Sequence, residues 1–208
     1  MLFASLHHTI ALMSEAVLHP RLAPPGAGIP AIERFVGGSF LTLRRLLGTP
    51  SKLTAQFERE RRTIASLRSG RDASALGTRV LIARLRGLED SSRFWSVWMT
   101  LDHLRIVNDN ITGVIGELTQ GRVPDGSAST AAVKPSEHVG GEVVTAYEAS
   151  CDRLVRAIAS KTMLRTELRY AHPWFGPLDA FGWYAMSAMH MGIHRVQIER
   201  ILRGASGS

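Results

Sequence analysis

The stretch SSRFWSVWMTLDHLRIVNDNITGVIGELTQ, residues 91–120, decides the fold. Phe94, Leu101, Leu104, Ile111, Ile115 and Leu118 recur at three-, four- and seven-residue steps, the spacing that puts side chains on one face of an α-helix. Ser91 or Ser92 offers an N-cap and Gly121 a stop, so the stretch predicts one helix of nearly 30 residues, about 40 Å long. A helix of that length with a single apolar stripe belongs in a bundle.

The same period extends outward in both directions. Upstream, residues 31–47 are helical up to Gly48-Thr49-Pro50, and residues 52–69 follow, with Ser51 as the expected N-cap and Gly70 as the stop. Residues 71–90 are ambiguous: a short helix around 76–86 is expected, although Arg79-Val80-Leu81-Ile82 also reads as a short strand. Downstream, residues 121–140 are polar and turn-rich, a long connection and not a hairpin. A helix over about 141–160 turns Val144, Tyr147, Cys151, Leu154 and Ile158 inward. A loop at His172-Pro173-Trp174-Phe175-Gly176-Pro177 leads to a last helix over about 178–203. The expectation is an all-α four-helix bundle. Because the 121–140 link can span its length, the third helix can run parallel to the second, in up-down-down-up order.

The chain divides accordingly. Residues 1–30 hold an extra N-terminal amphipathic helix, with Phe3, Leu6, Ile10, Met13 and Val17 on one face, and a loop broken by Pro20, Pro24, Pro25 and Pro30. Residues 31–203 form the bundle, and 204–208 read as a flexible tail. The apolar face of the N-terminal helix needs cover, from the bundle or from a second subunit.

Composition narrows the function. The 208 residues are 45% hydrophobic and 21% charged, and 25 Lys and Arg against 18 Asp and Glu give a net charge of +7. The arginines alternate with acids, as in Phe57-Glu58-Arg59-Glu60-Arg61-Arg62, and no basic run is interleaved with aromatics, so no nucleic-acid partner is expected. No apolar stretch reaches the ~18 residues of a membrane span, and the N-terminus lacks the basic region of a secretory signal. Cytoplasm is the expected compartment. One cysteine, Cys151, excludes an intrachain disulfide and cysteine-rich metal sites, so a metal here must be held by His, Asp, Glu or a lone thiolate. A phosphate-binding loop, His-Glu-x-x-His and Gly-x-Ser-x-Gly are all absent from the sequence.

The last helix inverts the usual pattern. At 100° per residue, Trp183, Met186, Ser187, His194, Gln197 and Ile201 all lie within about 60° of His190, while Arg195, Glu199 and Arg203 lie on the far side. Two histidines, a glutamine and a serine thus share the face that must be buried. An unpartnered buried imidazole costs about 1–3 kcal/mol. Histidines at i and i+4 stand close enough to share one metal ion, or to be satisfied by core hydrogen bonds. His103, at the edge of its helix's apolar stripe near Val107 and Val114, suits a ligand reaching across to another helix, and equally a half-exposed histidine.

Trp95-Ser96-Val97-Trp98-Met99-Thr100-Leu101-Asp102-His103-Leu104, followed by His190-x3-His194-x2-Gln197-Ile198, resembles the DinB-like superfamily, as does the His172-Pro-Trp-Phe-Gly-Pro-Leu178 approach to the last helix. The resemblance covers about 91–203; it is weak over 31–70, and the first 30 residues and 71–90 look like additions. It implies an up-down-down-up bundle, often dimeric, in which His103, His190 and His194 hold one divalent metal, zinc or nickel. Characterised relatives include enzymes that use low-molecular-weight thiols (bacillithiol- or mycothiol-dependent S-transferases and a mycothiol-dependent isomerase), and many others have no known activity. The family name implies no DNA binding.

Three neutral ligands leave the ion its full charge and an open position, where a thiol or water loses its proton near neutral pH. The expected function is metal-dependent thiol transfer or hydrolysis on a small-molecule substrate, by a homodimer. The competing expectation is a non-catalytic dimeric helical stress or binding protein whose histidines are core residues. Gln197 suits orienting a ligand or bonding a helix neighbour. Asn110, Thr100 and Ser187 suit either supporting contacts or packing. His172 and Trp174 suit either the mouth of the site or the surface. Tyr147 and Cys151 read as core, His7, His8, His19 and His138 as incidental, and the sequon Asn110-Ile111-Thr112 as an intrahelical coincidence.

Overall fold

The computed structural model describes residues 20–205. The helix expected over 2–18, His7, His8, His19 and the tail residues 206–208 lie outside the described residues. In chain order the elements are α1 (Ala31–Leu47), α2 (Pro50–Arg68), α3 (Ala73–Gly77), β1 (Val80–Leu81), β2 (Phe94–Trp95), α4 (Val97–Thr119), α5 (Val143–Ala159), β3 (Tyr170–His172), β4 (Gly176–Leu178) and α6 (Ala180–Ala205). The strands form two isolated antiparallel ribbons, β1–β2 and β3–β4.

Helix directions follow from which residues meet. Thr54 Oγ1 lies 2.6 Å from Tyr184 Oη and Glu60 pairs with Arg195, so α2 and α6 run parallel. Ser92 meets Gln197 while His103 meets His190, so α4 opposes α6. Trp98 lies against Gly141 and Asp109 pairs with Arg153, so α5 runs with α4. The four helices α2, α4, α5 and α6 make an up-down-down-up bundle. Their seam is apolar: Phe57, Ile64, Leu101, Leu104, Ile111, Ile115, Tyr147, Leu154 and Ile198 are all buried.

The bundle begins later than the 31–203 span assigns. Its first helix is α2, and α1 is an extra helix packed on α6 with only Leu41 of its side chains buried. Ile32, Phe35, Val36, Phe40, Leu43, Leu46 and Leu47 are exposed along it.

Several boundaries move for local reasons. Thr49, not Ser51, caps α2: its hydroxyl accepts the Lys52 amide at 3.3 Å, and Pro50 takes the first helical position, where a missing N–H costs nothing. The helix expected over 76–86 is replaced by α3 and β1. Arg79 donates to the Phe94 carbonyl and Arg93 to the Ile82 carbonyl, so this extended backbone is satisfied from across the ribbon. Helix α4 opens at Ser96, whose hydroxyl accepts the Met99 amide at 3.1 Å, because Phe94 and Trp95 are held in β2 against Leu81 and Val80. Gly121, at φ 76°, closes it. At the C-terminal end, α6 continues through Gly204 and Ala205; a Cβ on Gly204 would fall 2.5 Å from a Val80 methyl, so this residue packs on β1 and does not belong to a tail. Among the described residues no helix is long and apolar enough to cross a membrane.

Candidate metal centre

α4 and α6 carry three imidazoles to one point. His103 Nε2 lies 3.1 Å from His190 Nε2, and His194 Nε2 lies 3.0 Å from the same atom. Among the described residues, no other group of three or more His, Cys, Asp or Glu gathers its ligand atoms this closely. His103 and His194 are buried; His190 is half-buried and borders a cavity of about 550 Å³.

The outer nitrogens fix the tautomers. His103 Nδ1 lies 2.6 Å from the Val133 carbonyl, which can only accept, so this nitrogen carries the proton. Gln197, 0% exposed, donates its amide nitrogen to the Ser92 carbonyl at 2.7 Å, which turns its oxygen toward His194 Nδ1 at 2.6 Å. His194 Nδ1 is therefore the donor as well. In the neutral rings both Nε2 atoms present lone pairs, and both face His190 Nε2, which can give a proton to only one of them. A cation answers such a donor set. Nitrogens bound to one tetrahedral zinc at ~2.0–2.1 Å stand about 3.3 Å apart; His190 Nε2 lies 3.1 and 3.0 Å from the other two, and all three ligand atoms lie within 4.8 Å of one another.

Burial pushes the His103 ring down to about 4, against a partial lift from the Val133 carbonyl. Burial, and then the neighbouring rings, hold His190 well below the ordinary histidine value; burial does the same to His194. All three rings are thus in the basic, ligating form at neutral pH. Trp95 walls the cluster, its ring 5.2 Å from that of His103 and stacked nearly parallel to that of His194, 6.3 Å away.

The link 121–140 does more than span the bundle. It carries a short turn, Ala131–Val133, that presents the Val133 carbonyl to His103. Buried Glu89 anchors that turn: it accepts from Lys134 Nζ at 2.9 Å, from the Thr130 hydroxyl at 2.9 Å and from the Gly28 amide at 3.1 Å. Burial alone would raise the Glu89 carboxyl, but Lys134, Thr130 and the Gly26 amide outweigh it and hold it low. On the other side, Asp102 accepts the Ser136 amide at 3.0 Å.

The structure brings together His103, His190, His194 and Gln197. Asn110 is not among them. It is exposed on the cavity rim, two turns or about 10 Å along α4 from His103, too far to support that ring, and the Val133 carbonyl does so instead. Thr100 and Ser187 return their hydroxyls to the Ser96 and Tyr184 carbonyls of their own helices. His172 and Trp174 both line the cavity. Tyr147 and Cys151 are fully buried, and burial raises the thiol to about 12. His138 is exposed. The Val133 carbonyl and the Glu89–Lys134 anchor were missed, since a main-chain acceptor has no signature in sequence.

No protein-family model matches the chain, and no curated protein matches it. Among solved structures it is similar to TT2238, described as a four-helix bundle protein, at 18% identity over 73% of this chain and 98% of that one, with a TM-score of 0.54. That likeness extends to the fold alone.

Proposed function

We propose that the protein is a DinB-like bundle that binds one divalent metal, zinc or nickel, through His103, His190 and His194, and uses it on a small-molecule substrate. One observation carries the reading: two imidazoles with fixed tautomers aim lone pairs at the same third nitrogen. When bound, such an ion lowers the pKa of a thiol or water, which suits thiol transfer or hydrolysis. The chain's own residues supply the rest. Val133 and Gln197 hold the rings in register, Trp95 and the buried seam keep water from their outer faces, and the cavity admits a substrate to the His190 side. Thiol transfer is the preferred form, in the cytoplasm, where small thiols stay reduced.

The test is elemental analysis of the purified chain beside His190→Ala and His103→Ala. One equivalent of divalent metal in the parent, lost in both variants while they stay folded, supports the reading. A metal-free parent after growth with added zinc and nickel leaves a non-catalytic binding bundle. A screen of thiol cosubstrates follows on the loaded protein.

The proposed partner is a second copy, seated on α1. Its seven exposed apolar side chains fall on one face of the helix at three- and four-residue spacing, and a contiguous exposed apolar face marks an interaction surface.

A further inference from the structure

We infer that the cavity beside the three histidines takes an uncharged ligand with a flat apolar body, of the size of a fused aromatic bicycle, and that His172 donates a hydrogen bond to its acceptor atom. This deepens the proposed function; it rests on that reading for the chemistry and not for the binding.

The cavity, about 550 Å³, falls within the range of small-molecule sites. Leu88, Val107, Val114, Trp174, Trp183 and Met186 make much of its wall. Four charged side chains reach it, and each is already partnered. Glu89 holds Lys134 at 2.9 Å, Asp109 holds Arg153 at 2.8 Å, and Glu117 holds Arg122 at 2.7 Å. Lys134 is the cavity's one lysine or arginine among the described residues, and Glu89, Ser91 and Ser92 take all three of its protons. A carboxylate or phosphate entering here would shed its water and find no free counter-charge among these groups. An apolar ring gives up nothing comparable.

One polar group on the wall points to a ligand acceptor. The Trp174 amide donates to His172 Nδ1 at 3.1 Å, so the neutral ring carries its proton on Nε2. The ring is stacked on Phe175 at 4.8 Å and tilted against Trp183 at 5.3 Å, which fixes its plane beside the cavity. Burial pushes this histidine down to about 4, so Nε2 remains a neutral donor at physiological pH. Walls whose charges are already paired, aromatic plates and the His172 donor together describe a ligand such as an aryl ketone.

The test compares 2-acetonaphthone with 2-naphthoate, near-isosteric molecules that differ in charge, by tryptophan fluorescence and calorimetry on the chelator-treated full chain. Acetonaphthone is expected to bind at least tenfold tighter. His172→Phe, which keeps an aromatic plate and removes the donor, should weaken acetonaphthone about tenfold and leave naphthalene unchanged. Val114→Arg, checked for folding by circular dichroism, should reverse the preference toward naphthoate. Equal or tighter naphthoate binding, binding indifferent to both substitutions, or no binding of either compound would overturn the inference. Because the comparison uses metal-free protein and is repeated on His190→Ala, a failed metal centre leaves its outcome readable.

Discussion

Gln197 Oε1 stands 2.6 Å from His194 Nδ1 and is aimed there because the same side chain gives its amide to the Ser92 carbonyl. One glutamine thereby ties the last helix to the residues that precede α4 and sets which nitrogen of His194 is free. Such supporting contacts typically account for 10–100-fold in metal affinity. Gln197→Leu is expected to weaken zinc binding by that factor in a chelator competition. It should also lower the melting temperature of the metal-free protein, since the Ser92 carbonyl loses its donor. Gln197→Glu should retain more of the metal affinity, because its carboxylate still accepts from the imidazole.

The Glu89–Lys134 pair positions the turn that holds His103. Removing one member of a buried pair strands the other, typically at about 3–5 kcal/mol. Glu89→Gln and Lys134→Met should each destabilise the protein by roughly 3 kcal/mol in urea unfolding. The double variant should lose less than the sum, a coupling that a double-mutant cycle reads directly.

His103 sets an acid limit on the metal-free fold. Its folded-state value is about 4 against 6.5 for a free ring, so between these values the unfolded chain takes a proton that the folded chain refuses. Stability from this ring is complete above pH 6.5 and falls as the pH drops toward 4, by roughly 3 kcal/mol over that window. Chelator-treated protein should lose stability at least this steeply in melts at stepped pH, because His172, His190 and His194 are held low as well, and His103→Phe should make the slope shallower without abolishing it.

Much of this was legible in the residues. The apolar step from Leu101 to Leu118 announces the long helix, and the His190, His194 and Gln197 stripe announces a polar point in the core. What remained hidden is long-range. Nothing in the spacing distinguishes α1 from a bundle helix, because both carry an apolar stripe; only the packing shows that α1 keeps its stripe outside. Asn110 shares a face with His103, yet periodicity gives angle and not axial distance, and the helix rise put it out of range. The support from Val133 is a carbonyl on the 121–140 link, and every residue type has one.

Cys151 is 0% exposed and its thiol is raised to about 12 by burial. The native protein should therefore be silent to a thiol-reactive chromophore at pH 8 and react at one equivalent only in denaturant. Fast labelling of the folded chain would contradict the buried placement.

The α1 face predicts self-association. Phe35→Glu combined with Leu46→Glu, both at exposed positions, should leave the melting temperature of the bundle little changed while converting a dimer to a monomer in light scattering. A parent already monomeric at tens of micromolar would dismiss the proposed pairing.

His103 and His190 meet at 3.1 Å across 87 residues of chain. Whatever grips both rings acts as a staple closing that loop, and in a chain-entropy treatment a cross-link over a loop of this size removes about 4–5 kcal/mol of freedom from the unfolded ensemble. The same centre that would present a nucleophile would then also govern how long the molecule survives heat or proteolysis. If that grip is an ion's, withholding it would shorten the folded lifetime of the chain whatever chemistry the centre performs.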